Sequence, residues 1–301
     1  MGEWNFVEKS LRQAIEVTDK ELAKGKFDLE KWSKELWGID ALKDINAYYK
    51  SEENLRDCEP FEQLNQKYIS LHKRYNGLFN ELHEDVKSKV NRREYTKGGT
   101  GFHRGFYSPS MIDLIVDGIN RGRLLKKPPK SGNHTYEYLF DEEDRLICVY
   151  FYGKYDSTYK PDIAELFVYE NDKVLSFEFE YTDWNGYKIA RISECQYDNG
   201  SLMRYEIACC SLLGVEGVGD LGKNCGEINV ETFEYAGNLL QSFCWYCYNP
   251  SVHSLTQEKY TFNRDEEGYL STYTLKQLGG FRPKTNFDRE QVIYKVRVKR
   301  K

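Results

Sequence analysis

Five short segments in the second half of the chain read as one β-hairpin written five times. They are Tyr138-Leu139-Phe140-Asp141, Phe167-Val168-Tyr169-Glu170, Cys195-Gln196-Tyr197-Asp198, Phe233-Glu234-Tyr235-Ala236 and Tyr260-Thr261-Phe262-Asn263. In each, an aromatic ends a strand and polar turn residues follow. A leucine then opens the return strand: Leu146, Leu175, Leu202, Leu239 and Leu270. Sequential hairpins with short links predict an antiparallel meander. From Tyr136 onward the hydrophobic period is two. Tyr136, Tyr138 and Phe140 alternate with Glu137 and Leu139, and Phe177, Phe179 and Tyr181 alternate with Glu178 and Glu180. Val292, Tyr294, Val296 and Val298 continue the pattern near the end of the chain. Such alternation predicts strands with one dry and one wet face. Asp198-Asn199-Gly200 and Trp184-Asn185-Gly186 carry hairpin-turn chemistry. About ten strands are readable, and a sheet of that size must twist, curl or close and needs a cover for its apolar face.

Residues 4 to 92 read as helix. Trp4, Val7, Leu11, Ile15 and Leu22 share a face, as do Leu29, Trp32, Leu36, Ile39, Leu42 and Ile45. Pro60 suits the first turn of a further helix with a heptad-like seam of Phe61, Leu64, Tyr68, Leu71, Tyr75, Leu78 and Leu82. The seam either packs internally or grips a partner helix. Ser108-Pro109 reads as the cap and first turn of another helix carrying Ile112, Ile115 and Ile119. The expected fold is α+β: a helical bundle or hairpin over 1–93, a glycine-rich linker plus helix over 94–132, and an antiparallel hairpin sheet over 133–301.

Charge and composition exclude several functions. The chain has 301 residues with 40% hydrophobic side chains, enough to build a core, and a net charge of -5. That balance disfavours nucleic acid as the main partner, because phosphate binding needs clustered basic charge. The local exceptions, Arg121 to Lys130 and Lys295 to Lys301, read as solvated basic faces. No apolar run approaches the ~20 residues of a membrane span, and the first residues lack a leader pattern. The expectation is a cytoplasmic protein without a membrane partner. Its eight cysteines are expected as reduced, packed thiols.

The hairpin units resemble the tyrosine-aspartate repeats of Rhs-type bacterial proteins, best at Phe140-Asp141, Tyr169-Glu170 and Tyr197-Asp198. The resemblance covers roughly residues 136–275. Units here are spaced by 27 to 38 residues, longer than in those repeats, and Ala236 and Asn263 break the acidic position. The resemblance implies the hairpin sheet and not an encapsulating shell. Small proteins of such hairpins also look like some immunity proteins of bacterial polymorphic toxin systems, which implies a toxin domain as partner.

Candidate chemistry is sparse. Gly217-Val218-Gly219-Asp220-Leu221-Gly222-Lys223 matches a dinucleotide fingerprint in letters, but a strand follows it where a helix is required, so a hairpin loop is expected. Cys244 and Cys247 form a C-x-x-C inside a strand and should face opposite ways; a structural zinc with Cys209, Cys210 or Cys225 is the alternative. No cofactor or metal is expected. The segment from Gly101 to Ser108 places His103, Arg104 and Tyr107 among glycines just before a helix start, with His103 as a candidate general base and Arg104 as a candidate anion clamp. An interdomain linker is the competing reading. The acidic turns Asp141-Glu142-Glu143-Asp144 and Asp265-Glu266-Glu267 lack calcium-loop spacing and offer a surface for a basic partner. The leading expectation is a non-catalytic protein-binding module of immunity type. The alternative is an enzyme or small-molecule or anion binder using the 101–108 segment.

Overall fold

The structure, a computed structural model, describes residues 47–97, 104–116, 122–129, 132–155, 160–215, 222–266, 268, 270–280 and 289–292. The expected helices before residue 47 lie outside these residues, as do His103 and most of the 217–222 loop. The chain divides into two compact units: Met1–Leu55 with Phe281–Thr285, and Arg56–Gly280 with Asn286–Lys301. Within the first, Ser51 Oγ accepts the Asn54 N–H at 3.2 Å, the geometry of a helix cap.

Among the described residues, thirteen antiparallel strands form one sheet in the second unit. They are β1 (Arg92–Lys97), β2 (Arg123–Leu125), β3 (Gly132–Phe140), β4 (Leu146–Tyr155), β5 (Ile163–Glu170), β6 (Lys173–Thr182) and β7 (Gly186–Asp198). Then follow β8 (Ser201–Cys209), β9 (Ile228–Ala236), β10 (Leu239–Asn249), β11 (Ser254–Arg264), β12 (Leu270–Gly279) and β13 (Arg289–Val292). Strands β3 to β13 lie side by side in chain order, and β1 and then β2 extend the sheet beyond β3. The meander is therefore as expected. Strand β1 was expected as the end of a helix and the start of a linker; it pairs instead with β3, Tyr95 opposite Glu137.

One face is covered by helices α1 (Glu52–Tyr75) and α2 (Phe79–Ser88). Pro60 lies inside α1 and does not open it. The earlier start is supported by acidic Glu52 and Glu53 in the first turn, with basic His72, Lys73 and Arg74 in the last, both favourable to the helix dipole. The seam packs on the sheet. Phe61 and Tyr68 are buried there, and Leu64, Leu71, Tyr75 and Leu82 pack at the margin of the same core. Tyr75 meets Phe177 in a tilted contact at 4.4 Å, and Phe79 meets Phe179 edge-on at 5.1 Å. The seam breaks after Tyr75, where Asn76 Oδ1 accepts the Ile189 N–H of β7 at 2.9 Å. A polar clamp adds to the apolar contact. Lys67 Nζ sits 2.8 Å from Glu194 and 2.9 Å from Glu206, and Tyr68 donates to Glu206 at 2.8 Å.

The other face is covered by a strap, residues 104–116, containing the 3-10 turn Gly105–Tyr107 and the short helix α3 (Met111–Val116). Phe106, Tyr107, Met111, Ile112 and Ile115 pack on a core to which every repeat hairpin contributes, including Tyr138, Phe167, Cys195, Phe233 and Tyr260. The central strands are thus dry on both sides, which corrects the one-wet-face expectation. Glu165 and Glu178 are buried at 2% and 3% exposure because each meets an arginine there. Ser110, not Ser108, caps α3: its Oγ accepts the Asp113 N–H at 3.1 Å.

Candidate functional site

The site grows from one residue of the strap. Arg104 has a left-handed backbone, φ 59°, followed by Gly105 at φ 52°. Two such residues in succession turn the chain sharply, and Gly105 must be glycine: a Cβ there would lie 2.8 Å from the Tyr138 hydroxyl and 2.9 Å from the Tyr136 ring. The turn drives the Arg104 side chain onto the sheet. Ser176 and Ser193, direct partners on β6 and β7, leave the room it needs. Its Nε donates to Glu165 at 2.8 Å, and its Nη2 donates to Ser176 at 3.0 Å and to Ser193 at 2.6 Å. Its plane lies 4.6 Å from the Phe167 ring centre. Burial works against the charge, but Glu165 and its neighbours more than restore it, so Arg104 stays protonated. The expected anion clamp is thus a clasp between strap and sheet, engaged by the protein's own groups.

Tyr107 is also engaged. Its hydroxyl donates to Glu94, and its ring meets Tyr138 edge-on at 4.8 Å. Burial and the Glu94 carboxylate push its pKa upward, which keeps the hydroxyl protonated as a donor to Glu94. Glu231 anchors the far end of the strap. Its carboxyl accepts from Ser110 Oγ at 2.6 Å and from the Met111 and Ile112 N–H groups at 2.7 and 3.3 Å. Burial outweighs these donors and raises its pKa to about 8.

Topology supplies the rest of the site. In a meander every second connection returns to the same edge, so all five repeat turns share one edge of the sheet. Asn199 and Gly200 both have positive φ, as a type I′ hairpin requires. The turn edge is rich in exposed acids: Glu142, Glu143, Asp144, Glu170, Asp172, Asp198 and Glu266. Two sequence candidates have local roles. Asp141 is buried and accepts the Arg145 N–H and Nε, each at 2.8 Å. Burial pushes its carboxyl up, but the bonds from Arg145 prevail and hold it below the ordinary range. Asp144 accepts from Arg92 Nη2 at 2.7 Å. Asp265 is half-buried, and Glu267 lies outside the described residues.

Between the strap and this edge lies a cleft of about 400 Å³. Its walls include Tyr107, Leu146, Phe167, Tyr169, Val174 and Tyr197; Arg104 lines it from the strap, and Asn171 and Asp172 belong to the β5–β6 turn. Leu146, Tyr169 and Tyr197, letters of the repeat in sequence, converge here. Their shared position beside a turn in successive hairpins was the available signal. Burial, against the opposing charge of Arg104, pushes the Tyr169 hydroxyl up to about 12, and it donates to the Leu146 carbonyl at 2.9 Å. Asp172 is the carboxylate in the lining, and no nucleophile–base pair stands among these residues. Among the described residues, no cluster of three or more His, Cys, Asp or Glu side chains is arranged to hold a metal ion. The cysteines carry no disulfide, and Cys244 and Cys247 are half-buried on β10.

No family model and no curated protein matches the chain. Among solved structures it is similar to a Bacteroides fragilis protein of unknown function. The two are 12% identical with a TM-score of 0.30, over 38% of this chain and 82% of that one. Among the described residues, no helix is long and apolar enough to cross a membrane.

Proposed function

We propose that the chain is a non-catalytic protein-binding module that receives a basic partner on its acidic turn edge. The reading extends to a bacterial, cytoplasmic immunity protein that neutralises a toxin domain by occluding it, with an amino-terminal helical bundle as part of the module. One observation carries the binding reading: exposed Glu142, Glu143, Glu170, Asp172 and Asp198 stand at neighbouring hairpin turns along one edge of the sheet. Such an array steers a positively charged partner and fixes its register. The immunity reading rests on the hairpin resemblance alone.

A second reading, a small-molecule or anion binder at the 101–108 segment, has the cleft beside Arg104 and Tyr107 in its favour. Against it, Arg104 already serves Glu165, Ser176 and Ser193, and the Tyr107 hydroxyl serves Glu94. Affinity purification of the tagged protein from its native cells, followed by mass spectrometry, separates the two. The binding reading expects one stoichiometric protein partner, lost from a Glu142→Lys/Glu143→Lys variant that melts like the parent. A monomer with nothing attached, whose melting temperature rises with a small anion, would favour the second.

A further inference from the structure

We infer that the cleft beneath the strap seats one aromatic or aliphatic side chain of a partner segment whose neighbouring residues are lysine or arginine. This rests on the protein-binding reading above and names the chemistry that the turn edge would recognise.

The occupant follows by elimination among three chemistries. A lone cation inside the cleft would find Asp172 as the carboxylate in the lining and, on the strap side, the charged guanidinium of Arg104, whose Nε and Nη2 are turned to Glu165, Ser176 and Ser193. An anion would gain little from that guanidinium, whose Nε and Nη2 are held by Glu165, Ser176 and Ser193. It would also meet Asp172 in the lining and Glu170 and Asp198 nearby. An apolar side chain meets the rings of Tyr107, Phe167, Tyr169 and Tyr197 and the aliphatic groups of Leu146 and Val174. Rings accept another ring edge-on or offset, so an aromatic occupant gains more than its buried area alone. The volume of about 400 Å³ is near the small end of the ~300–1,000 Å³ typical of ligand pockets. It suits a single anchor residue better than an extended ligand.

Charge complementarity fixes what flanks the anchor. The adjacent turns expose Glu142, Glu143, Glu170, Asp172 and Asp198. Two cations stand at the same edge: Arg145 in the β3–β4 turn is occupied by Asp141 at 2.7 Å and Glu143 at 3.1 Å, and Lys173, beside Asp172, by Glu194 at 3.5 Å. A segment with bases on either side of its anchor would meet carboxylates on both sides of the cleft. Exposed pairs of this kind favour the encounter more than the final affinity, so the anchor should carry most of the binding.

The test uses the full chain and a fluorescein-labelled heptapeptide, one tryptophan between two runs of three lysines, followed by fluorescence anisotropy. Saturable binding is expected, weakened about tenfold when the tryptophan is replaced by glycine and about tenfold by Tyr197→Lys, a difference of ~1.4 kcal/mol each. Tyr197 is 37% exposed, so the substitution should leave the fold intact; Asp172→Lys, also exposed, is the second variant should the first melt early. Glu142→Lys/Glu143→Lys should weaken binding about threefold, mainly at low salt. The inference is overturned if the tryptophan peptide does not saturate below a millimolar, or if the glycine peptide binds equally well. Should a cellular partner be lost on turn-charge reversal while the tryptophan peptide fails to bind, the protein-binding reading stands and the cleft assignment alone falls.

Discussion

Arg104 and Glu231 hold the strap at two points, and each makes a sharp test. Arg104 is 6% exposed and its main counter-charge, Glu165, is 2% exposed. Removing one partner strands a buried charge, so Arg104→Met should destabilise the protein by about 3–5 kcal/mol in urea unfolding. The double variant Arg104→Met/Glu165→Met should regain most of that loss, because an apolar pair of similar volume replaces an ion pair without stranding a charge. Equal losses in the single and double variants would mean that the clasp is not where the energy lies. Glu231 gives a pH test. Its native pKa is raised to about 8 from an ordinary 4.5, so the native state holds a proton that the unfolded chain releases. The stability this supplies is complete below about 4.5 and is lost as pH rises through about 8. The melting temperature should therefore fall between pH 5 and pH 8, and Glu231→Gln should flatten that slope. An unchanged slope in the variant would place the proton elsewhere.

Among the elements, the hairpins are joined by more than their ladders. Tyr169 on β5 donates to the carbonyl of Leu146, the residue that opens β4, and Tyr235 on β9 donates to Leu202 near the start of β8, both at 2.9 Å. In these two units the repeat's tyrosine thus bonds the repeat's leucine in the hairpin before it. Where Phe262 lacks the hydroxyl, Arg264 reaches the Leu240 carbonyl at 2.9 Å instead. Tyr169→Phe and Tyr235→Phe should each cost about 0.5–1.5 kcal/mol, and the costs should add, since the two sites share no partner. A strongly non-additive double variant would argue that the hairpins are coupled more widely. The meander was legible because aromatic, turn and leucine recur in a fixed order. Strand β1 was not, because Arg92-Arg93-Glu94-Tyr95-Thr96-Lys97 has the charge of a helix end and pairs with strands distant in sequence. Pro60 misled for a local reason: proline favours a first turn, yet packing of Phe61 and Tyr68 on the sheet outweighs its missing N–H. Glu165 and Glu178 are buried against the alternation because each meets an arginine, Arg104 of the strap for the first and Arg191 of β7 for the second. Alternation reports polarity and not where a counter-charge comes from; the paired Ser176 and Ser193 among the aromatic and aliphatic residues of β6 and β7 are the readable trace of the strap's arginine. The acidic turns were legible; the cleft was not, since it needs three hairpins and the strap in register.

Within the second unit, among the described residues, α1 and α2 pack on one face of the sheet and the strap on the other, and the turns carry exposed carboxylates with the cleft beside them. Screening acts over ~8 Å at physiological salt, so a partner steered by this edge should associate more slowly as salt rises, with dissociation changing less. The most direct measurement is amide hydrogen exchange on the protein alone and bound to the partner it purifies with. The account expects new protection confined to the turns at 141–145, 171–172 and 199–200 and to the strap near Tyr107, with the α1 and α2 face unchanged. Protection centred on α1 and α2, or none at the turn edge, would contradict it.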